Sequence, residues 1–595
     1  MTFTTRPTLA GTFGMVSSTH WIASQSAMSV LERGGNAFDA AACAGFVLHV
    51  VEPHLNGPGG DMPAIVATAD DPTPRVLCGQ GPAPAGATIE HYRAEGLDQV
   101  PGSGLLAAAI PGAVDAWLVL LRDHGTWELS DVLEPAIGYA EAGHPVLPAV
   151  SATIERVAGM FTEHWPTSAS TWLPRGKAPT PGSLVTNPAY AATLRRLLAE
   201  GAAAGTDRVS RIEGARRAWS DGFVADSVDR FARGSFLDSS GAAHAGVITG
   251  EDLGGFEATW EPAVTLDWAG ATVAKTGAWG QGPVLLQSLQ MMNALGDPSE
   301  LDLLRAEGVH TTTEVMKLAF ADREAFYGDV DVPLADLLDP AYAAQRAALV
   351  GADASMEIRP GSPGGRTPVL PHGLGQTASA TGDSTVGEPT VSDRTAPTAQ
   401  RGDTCHVDVV DRFGNTISAT PSGGWLQSSP TIPELGFCLG TRAQMFRLQE
   451  GLPASLAPGR RPRTTLSPTL VLRDGAPSMA CGTPGGDQQD QWQLLFLLRV
   501  LAQGNALQDA IDAPAWHSEA VPSSFYPRGM QPGVLVIEDR IDPAVARELS
   551  ARGHGVQLGP AWSEGRLCAV TRDPATGVLR AGANPRGMQG YAVGR

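Results

Sequence analysis

The sequence predicts an α+β fold for this chain of 595 residues, and three stretches carry the prediction. Residues 37–51 are rich in Ala, Phe and Leu and follow Asn36, a residue type that favours the N-cap of a helix. Residues 310–327 place apolar side chains at helical spacing. Residues 405–410 alternate in the manner of a β-strand. Helices therefore dominate the first part of the chain and strands the last.

The elements of the first part follow in order along the chain. After the helix at 37–51, the glycine-rich loop 56–61 precedes a β-like stretch at 63–69. A second helix is predicted at 113–123, after a Pro-Gly pair, and further helical stretches continue to about residue 235. Residues 310–327 are predicted to form an amphipathic helix whose apolar positions are Val315, Leu318, Ala319 and Phe326.

The last third of the chain is predicted to be rich in strands that follow a linker. From residue 351 to residue 401 the composition turns to Gly, Pro, Ser and Thr without sustained periodicity, which predicts a linker or mobile tail. Hairpin turns are predicted at 412–415 and 473–475. A helix is predicted to begin at Asp487, after a glycine pair.

Composition and charge restrict the class of protein. Apolar residues are 43% of the chain and charged residues 17%, which is typical of a globular protein. The formal net charge of −20 argues against nucleic acid and anionic membranes as partners. No stretch approaches the roughly 20 apolar residues of a membrane-spanning helix, and a signal core is absent, so a cytoplasmic location is expected. The six cysteines are scattered without a CxxC pair, and neither a metal nor a cofactor is expected.

Residues 402–424 are the most informative stretch for chemistry. Thr404 opens the alternating strand after a long stretch without a packing pattern. This arrangement predicts a self-cleaving proenzyme in which the bond between Asp403 and Thr404 breaks. The new α-amine of Thr404 would then serve as the base for the hydroxyl of the same residue. On this stretch alone, a surface linker that enters an ordinary hairpin is the alternative interpretation.

Several separated motifs point to one family. They are residues 34–41, 57–60, 111–112, 314–323, 404–411, 461–468 and 482–486. In these motifs, and over nearly its whole length, the chain resembles the γ-glutamyltransferase family of N-terminal-nucleophile (Ntn) hydrolases. The resemblance implies an αββα sandwich of two antiparallel sheets flanked by helices. It also implies cleavage into a large subunit, residues 1–403 with a mobile linker at 351–403, and a small subunit, residues 404–595, which stay together as a heterodimer.

The same resemblance implies roles for three residues near Thr404. Gly485 and Gly486 match the oxyanion-hole glycines of the family. A Gly pair between a strand and a helix can turn backbone N–H groups toward a developing oxyanion, although a plain tight turn is the alternative. Ser422 matches the family threonine that hydrogen-bonds the hydroxyl of the nucleophile, and serine keeps that hydroxyl.

The chain departs from the family where the glutamyl group is bound. Ile89 stands at the place of the arginine that grips the substrate α-carboxylate, and Met445 stands at the place of the acid that binds the α-ammonium. Isoleucine cannot replace a bidentate guanidinium–carboxylate contact. Thr464 and Thr465 replace a pair of serines and keep both hydroxyls, while bulky Trp425 follows a glycine at the place of a family asparagine.

A replacement pocket for the substrate has five candidates in the sequence: Arg463, Arg442, Trp425, Gln444 and Asp487. Arg463 directly precedes the threonine pair, so it could receive an acidic acyl group, although an arginine in a surface loop is the commoner outcome. His406 is expected to be packed or hydrogen-bonded within its strand, because the α-amine already supplies the base.

The sequence therefore favours a self-processing acyl hydrolase or acyltransferase that forms an acyl ester on Thr404. Its substrate is expected to be a small-molecule amide whose glutaryl, oxalyl or similar acyl group lacks the free α-amino acid end. Three alternatives stay open: C–C-bond cleavage of a 2-oxo or oxalyl intermediate in natural-product biosynthesis, hydrolysis of glutathione, and an uncleaved non-catalytic binding protein. The sequence also leaves open whether the two-fragment unit oligomerises further.

Overall fold

The computed structural model describes residues 3–374, 404–588 and 590–595. Its strands are β1 (Leu9–Gly11), β2 (Gly14–Ser18), β3 (Met62–Ala67), β4 (Arg75–Gly79), β5 (His144–Pro145), β6 (Leu184–Val185), β7 (Ser235–Leu237), β8 (Ala243–Ala245), β9 (Thr259–Pro262), β10 (Val264–Trp268), β11 (Ala271–Lys275), β12 (Val407–Asp411), β13 (Thr416–Ala419), β14 (Thr469–Arg473), β15 (Ala476–Gly482), β16 (Trp516–Ser518), β17 (Val534–Glu538), β18 (Gly555–Gly559), β19 (Cys568–Arg572), β20 (Leu579–Ala583) and β21 (Tyr591–Gly594).

The α-helices are α1 (Trp21–Glu32), α2 (Ala37–Val51), α3 (Ile89–Ala94), α4 (Ala113–His124), α5 (Leu129–Ala142), α6 (Pro148–His164), α7 (Pro166–Trp172), α8 (Pro188–Ala204), α9 (Arg208–Ser220), α10 (Phe223–Ala232), α11 (Gly250–Gly254), α12 (Pro283–Leu295), α13 (Ala306–Phe326), α14 (Leu334–Leu337), α15 (Pro340–Ala347), α16 (Gln489–Leu497), α17 (Leu507–Asp512) and α18 (Pro543–Ala551). Single helical turns of the 3₁₀ type occur at Leu105–Ala107, Pro174–Gly176, Pro363–Gly365, Arg442–Met445, Gly486–Gln488 and Arg586–Met588, and a π-helical turn at Leu498–Ala502 extends α16.

Within the described residues, two seven-stranded sheets form the centre of the molecule. The first sheet has the strand order β1-β20-β19-β15-β14-β11-β10, and the second has the order β21-β2-β12-β13-β3-β4-β9. All neighbouring strands of both sheets are antiparallel. Smaller sheets of two and three strands lie outside this centre, with β16-β17-β18 as the three-stranded one.

The two large sheets pack face to face between two layers of helices. Val66 of β3 packs against the helical layer that includes α1, α2, α4 and α5, whereas its neighbour Ile65 contacts the first sheet. In the first sheet, Leu470 of β14 faces the second sheet, and Val471 packs against the layer that includes α12, α13 and α16. Successive side chains of a strand point to opposite faces, so these strands are apolar and buried on both faces. The predicted αββα sandwich is confirmed.

Strands from both sides of Thr404 alternate within both large sheets. In the second sheet, β12 and β13 lie between β2 and β3. In the first sheet, β11 pairs with β14 and β1 pairs with β20. Separation of the two fragments would break these ladders and expose the edges of strands, which is costly. The topology therefore supports the expectation that the fragments stay together after a cleavage.

Several local predictions are confirmed. α2 spans Ala37–Val51, and Asn36 caps it by accepting hydrogen bonds from two backbone N–H groups of the first turn. The hairpin turns fall between β12 and β13 and between β14 and β15, as predicted. α16 begins at Gln489, two residues after the predicted start, because a 3₁₀ turn comes first.

The helix predicted at 310–327 exists, but the prediction that it is amphipathic is wrong. α13 spans Ala306–Phe326 and is buried on nearly all sides. Its polar side chains are paired inside the protein, since Lys317 donates to Glu314 at 2.6 Å and Asp322 lies 3.3 Å from Arg346. Buried charges that find such partners do not need solvent.

Residues 351–374, the first part of the predicted linker, have little regular structure but contact α13. Arg359 donates to Glu314 at 3.1 Å, and the Gly361 N–H donates to Asp322 at 2.7 Å. The rest of the predicted linker, together with Asp403, lies outside the described residues. None of the helices in the described part of the chain has the length and apolar character that a membrane crossing requires.

Candidate active site

Thr404 and Ser422 lie together at one end of the second sheet. Thr404 lies three residues before β12, is buried, and forms an antiparallel bridge with Ser422. Their hydroxyl oxygens are 3.2 Å apart, which is within hydrogen-bond distance. Next to the bridge, the Cys405 N–H donates to the carbonyl of Pro421 at 2.9 Å. Ser422 is thus placed where a partner of the Thr404 hydroxyl has to lie.

The glycine-rich loop 57–60 supports this bridge through backbone contacts. Asp61 and Ser422 exchange two backbone hydrogen bonds, of 2.8 and 2.9 Å. A Cβ atom on Gly60 would lie only 2.0 Å from the carbonyl oxygen of Ser422, and one on Gly57 would lie 2.5 Å from that of Gly424. Only glycine permits such close approach of two backbones. The loop is therefore a structural support for the segment that carries Ser422.

The glycine turn after β15 lies next to the strand that Thr404 opens. Gly482 ends β15, and a Cβ atom there would lie 2.2 Å from the ring of His406. Gly485 and Gly486 have φ angles of 130° and 52°, in the region that favours glycine. A Cβ atom on Gly485 would also lie 2.3 Å from the ring of Trp492. Two residues separate Gly482, which contacts His406, from Gly485 of the turn. The N–H groups of the turn are the candidate oxyanion donors.

His406 is fixed within the sheets by both of its ring nitrogens. Nδ1 lies 2.9 Å from the hydroxyl of Thr420, and Nε2 lies 2.9 Å from the carboxylate of Asp408. The side chain is completely buried. His406 therefore holds the strand in place, as expected, and has no nitrogen available to act on a substrate.

Ile89 and Met445, which the sequence analysis predicts at the positions of the family's charged anchors, are apolar and buried. Met445 packs with Trp425 and Phe525 in a small cluster, which we call the aromatic wall. Ile89 begins α3 and packs in a separate cluster that includes Phe446. Neither Ile89 nor Met445 can pair with a carboxylate or an ammonium group. A charged group placed against either side chain would find no charged partner in it.

Arg442 and Gln444 are occupied by contacts within the protein. The guanidinium of Arg442 donates to both carboxylate oxygens of Asp61 at 2.9 Å, and it lies 5.4 Å from the ring of Trp425. Gln444 donates to the carbonyl of Gly102 at 3.1 Å and also accepts a backbone hydrogen bond. Arg442 therefore links the glycine-rich loop to the aromatic wall and does not offer a free charge.

The two members of the threonine pair differ in whether their hydroxyls are hydrogen-bonded. The Thr464 N–H donates to the carbonyl of Trp279 at 3.0 Å, and its hydroxyl accepts a hydrogen bond of 3.3 Å from the Leu466 N–H. The hydroxyl of Thr465 is buried and has no hydrogen-bond partner among the described residues. Buried hydroxyls are normally satisfied, so Thr465 is the better candidate for a substrate contact.

Arg463 and Asp487 belong to one buried charge network. Arg463 lies 2.8 Å from Glu324, and Asp487 is paired with Arg323. Asp487 also accepts hydrogen bonds of 2.8 and 2.7 Å from the N–H and hydroxyl of Ser524. The sequence indicates both residues as candidates, but it gives no sign that they share a network.

Glu52 is a further residue of the site that the sequence analysis did not identify. It accepts hydrogen bonds from the Thr19 hydroxyl at 2.7 Å and from the Cys405 thiol at 3.0 Å, so it lies next to the residue after Thr404. Burial raises the pKa of Glu52 to about 7. The only signal in the sequence is an acid that directly follows the apolar helix α2.

One group of side chains in the described residues has the residue types of a metal site: His310, Glu314 and His554. The rings of His310 and His554 are hydrogen-bonded to each other at 2.9 Å. Glu314 is paired with Lys317 and Arg359. These side chains already satisfy one another, and the contacts are those of a structural cluster.

The chain matches the family model described as Gamma-glutamyltranspeptidase over residues 23–594. Three curated relatives are each 30% identical to it. They are the glutathione hydrolase-like YwrD proenzyme of Bacillus subtilis strain 168 (98% of this chain, 99% of the relative), the acylase ACY 1 proenzyme of Pseudomonas sp. strain SE83 (95% and 91%) and the oxamate amidohydrolase proenzyme of Klebsiella pneumoniae (98% and 98%).

Two solved structures are similar over the whole chain. The structure of LmbA2991HD is 58% identical with a TM-score of 0.94, and each chain covers 100% of the other. The cephalosporin acylase of Bacillus halodurans is 26% identical with a TM-score of 0.81, covering 100% of this chain and 97% of its own. Because the family model matches nearly the whole chain, and because the αββα fold and these relatives agree with it, the chain belongs to the gamma-glutamyltranspeptidase family of Ntn hydrolases.

Proposed function

We propose that the chain is a self-processing amide hydrolase or acyltransferase that carries its acyl group on Thr404. The observation that carries the proposal is the distance of 3.2 Å between the Thr404 and Ser422 hydroxyls at the start of β12. The glycine turn at Gly485 and Gly486 adds candidate oxyanion donors near the same end of the sheets. The relatives include an acylase and an amidohydrolase, both named as proenzymes, which supports the reaction class.

In the proposed reaction the α-amine freed by cleavage accepts the proton of the Thr404 hydroxyl while its oxygen attacks the substrate carbonyl. Backbone N–H groups of the glycine turn stabilise the negative charge on the carbonyl oxygen, and one such donor typically contributes about 3–4 kcal/mol. The proton then passes from the α-amine to the leaving amine as the C–N bond breaks, and the acyl group stays on Thr404 as an ester. Water hydrolyses this ester, or an acceptor amine takes the acyl group.

The acyl group is proposed to lack the α-amino acid end of a glutamyl group. Ile89 and Met445 are apolar and buried, so the ammonium group of a glutamyl substrate would find no charged partner at Met445. Each unpaired buried charge costs on the order of 1–3 kcal/mol or more. Glutaryl and oxalyl groups avoid the cost of the ammonium group.

A panel of amides tests the proposal. Glutaryl, succinyl, oxalyl and γ-glutamyl p-nitroanilides are incubated with the wild-type protein and with Thr404→Ala. We expect a dicarboxylic acyl amide to be cleaved at least about 10 times faster than the γ-glutamyl amide, and no cleavage by Thr404→Ala. Preference for the γ-glutamyl amide would indicate a glutathione hydrolase instead. Silence on all amides, with cleavage of 2-oxo acids, would indicate C–C-bond hydrolysis.

The role proposed for Ser422 is tested with the same amides. Ser422→Ala removes the hydroxyl 3.2 Å from that of Thr404, and we expect kcat to fall about 10-fold or more. Ser422→Thr keeps a hydroxyl and should restore most of the rate. Equal rates for Ser422→Ala and the wild type would contradict the role.

A further inference from the structure

Four arginines and two acids form a charge cluster, which we call the arginine cluster: Arg323, Arg447, Arg463, Arg528, Glu324 and Asp487. Arg447 and Arg528 are half-buried, and the other four are buried. Glu324 lies 2.8 Å from Arg323, 2.8 Å from Arg463 and 3.4 Å from Arg447, and Asp487 is paired with Arg323. Burial alone would raise the pKa of Glu324, but these arginines hold it well below its ordinary value. The four guanidinium groups exceed the two carboxylates, so the cluster is positive in a chain whose net charge is −20.

Arg528 is the member of the arginine cluster without a carboxylate partner among the described residues. Its Nη2 donates to the backbone carbonyls of Gln444 and Phe446. Its Nη1 is buried and has no hydrogen-bond partner in the described part of the chain. Burial lowers the pKa of Arg528 well below its ordinary value, and the positive charges of Arg447 and Arg463 act in the same direction. A buried cation needs an anion or a full set of acceptors, so Nη1 marks a place for an anionic ligand.

The arginine cluster borders three segments that are candidates for substrate contact. Asp487 directly follows Gly486 of the glycine turn, and Arg463 directly precedes the threonine pair. The two carbonyls that Arg528 binds flank Met445 of the aromatic wall. The orphaned hydroxyl of Thr465 lies two residues after Arg463. Thr465 and Arg528, each with a buried polar atom that has no hydrogen-bond partner among the described residues, thus lie on segments that border the arginine cluster.

We propose that Nη1 of Arg528 binds a carboxylate of the substrate, so that the preferred substrate is an acyl amide whose acyl chain ends in a second carboxylate. The inference rests on the proposed function, because it assigns the far end of the acyl group that Thr404 carries. A carboxylate supplies both the missing acceptor and a negative charge to a guanidinium. Met445, Trp425 and Phe525 form a buried apolar cluster next to this position, which suits a short methylene chain between the carboxylate and the amide.

The experiment compares two substrates that differ only at the far end. Glutaryl p-nitroanilide carries the carboxylate, and its monomethyl ester does not. For the wild-type protein we expect kcat/KM to favour the acid by about 10- to 100-fold. Arg528→Met should abolish this preference through KM, whereas Arg528→Lys should keep part of it. Exposed Arg366, paired with Asp336 at the surface, provides the control variant Arg366→Met.

A preference for the acid that survives in Arg528→Met would overturn the inference, and so would equal rates for the two substrates with the wild-type protein. Calorimetric titration of the processed wild-type protein with glutarate and with its monomethyl ester covers the case in which Arg528→Met does not fold. Binding of glutarate at least about 10 times tighter supports the carboxylate site, and equal binding contradicts it. If no amide is cleaved but glutarate binds selectively, the proposed function fails while the carboxylate site stands.

Discussion

Ionisation of Glu52 is expected to lower the free energy of unfolding as the pH rises, and a single substitution should remove this effect. Burial raises the pKa of this carboxyl from 4.5 to about 7, against the opposing effect of its hydrogen bonds to Cys405 and Thr19. A carboxyl whose pKa is higher in the folded state contributes stability below its unfolded pKa and loses that contribution as the pH rises through its folded pKa. The loss should therefore lie between about pH 4.5 and pH 7. Glu52→Gln mimics the protonated form at every pH and should be free of it.

The size of the effect follows from the two pKa values. A shift from 4.5 to about 7 corresponds to on the order of 3 kcal/mol of unfolding free energy. With the usual unfolding entropy per residue, a chain of 595 residues converts this into a change of roughly 2 °C in Tm.

Thermal unfolding of the processed wild-type and Glu52→Gln proteins at pH 4.5 and pH 8 measures it. The Tm of the variant, relative to the wild type, should be roughly 2 °C higher at pH 8 than at pH 4.5. Exposed Glu95 provides the control Glu95→Gln, whose Tm difference should not change in this way. A constant difference between wild type and Glu52→Gln across the pH range would refute the reasoning.

Two further substitutions test the supports of the site. Gly485→Ala would place a methyl group 2.3 Å from the ring of Trp492 at a backbone φ of 130°, and we expect kcat to fall about 100-fold. The control is Gly504→Ala, which should keep kcat. Gly504 has a φ of 70°, and a methyl group there would have no other atom within 4 Å. A rate equal to that of the wild type would rule out a role for the turn. Asp61→Asn leaves Arg442 buried without its carboxylate partner, which should lower the free energy of unfolding by about 3–5 kcal/mol and Tm by roughly 2–4 °C. The double variant Asp61→Asn/Arg442→Met should recover part of this loss. An unchanged Tm for Asp61→Asn would contradict the reasoning.

Elements with strong local signals could be predicted from the sequence. α2 was recoverable to its first and last residues because Asn36 is a good N-cap and the following segment is apolar throughout. The turn between β14 and β15 carries an Asp-Gly pair with φ angles of 51° and 75°, the conformation that such pairs favour in hairpins. In these places the local preference and the overall fold agree.

The interior surroundings of α13 could not be predicted, because its polar residues find partners that are distant in the chain. Glu314 is paired with Arg359, and Asp322 with Arg346, so charged positions that indicate a solvent-facing side are buried. Periodicity reports where apolar residues recur, and it does not report which charges meet in the folded chain.

In the candidate site, too, contiguous motifs could be predicted from the sequence, whereas contacts between distant residues could not. The segments of Thr404, Ser422 and the glycine turn could be located because each is a contiguous motif. The hydrogen bond between Cys405 and Glu52 and those of Arg528 to the carbonyls of Gln444 and Phe446 join residues that lie far apart in the sequence, and only the fold brings them together.

Intact mass spectrometry of the freshly purified protein, beside a Thr404→Ala variant, tests the central proposal most directly. We predict two fragments from the wild type, residues 1–403 and 404–595, and a single uncleaved chain from Thr404→Ala. Fragments that begin at any other residue, or one intact chain from the wild-type protein, would contradict the assignment of Thr404 as the nucleophile.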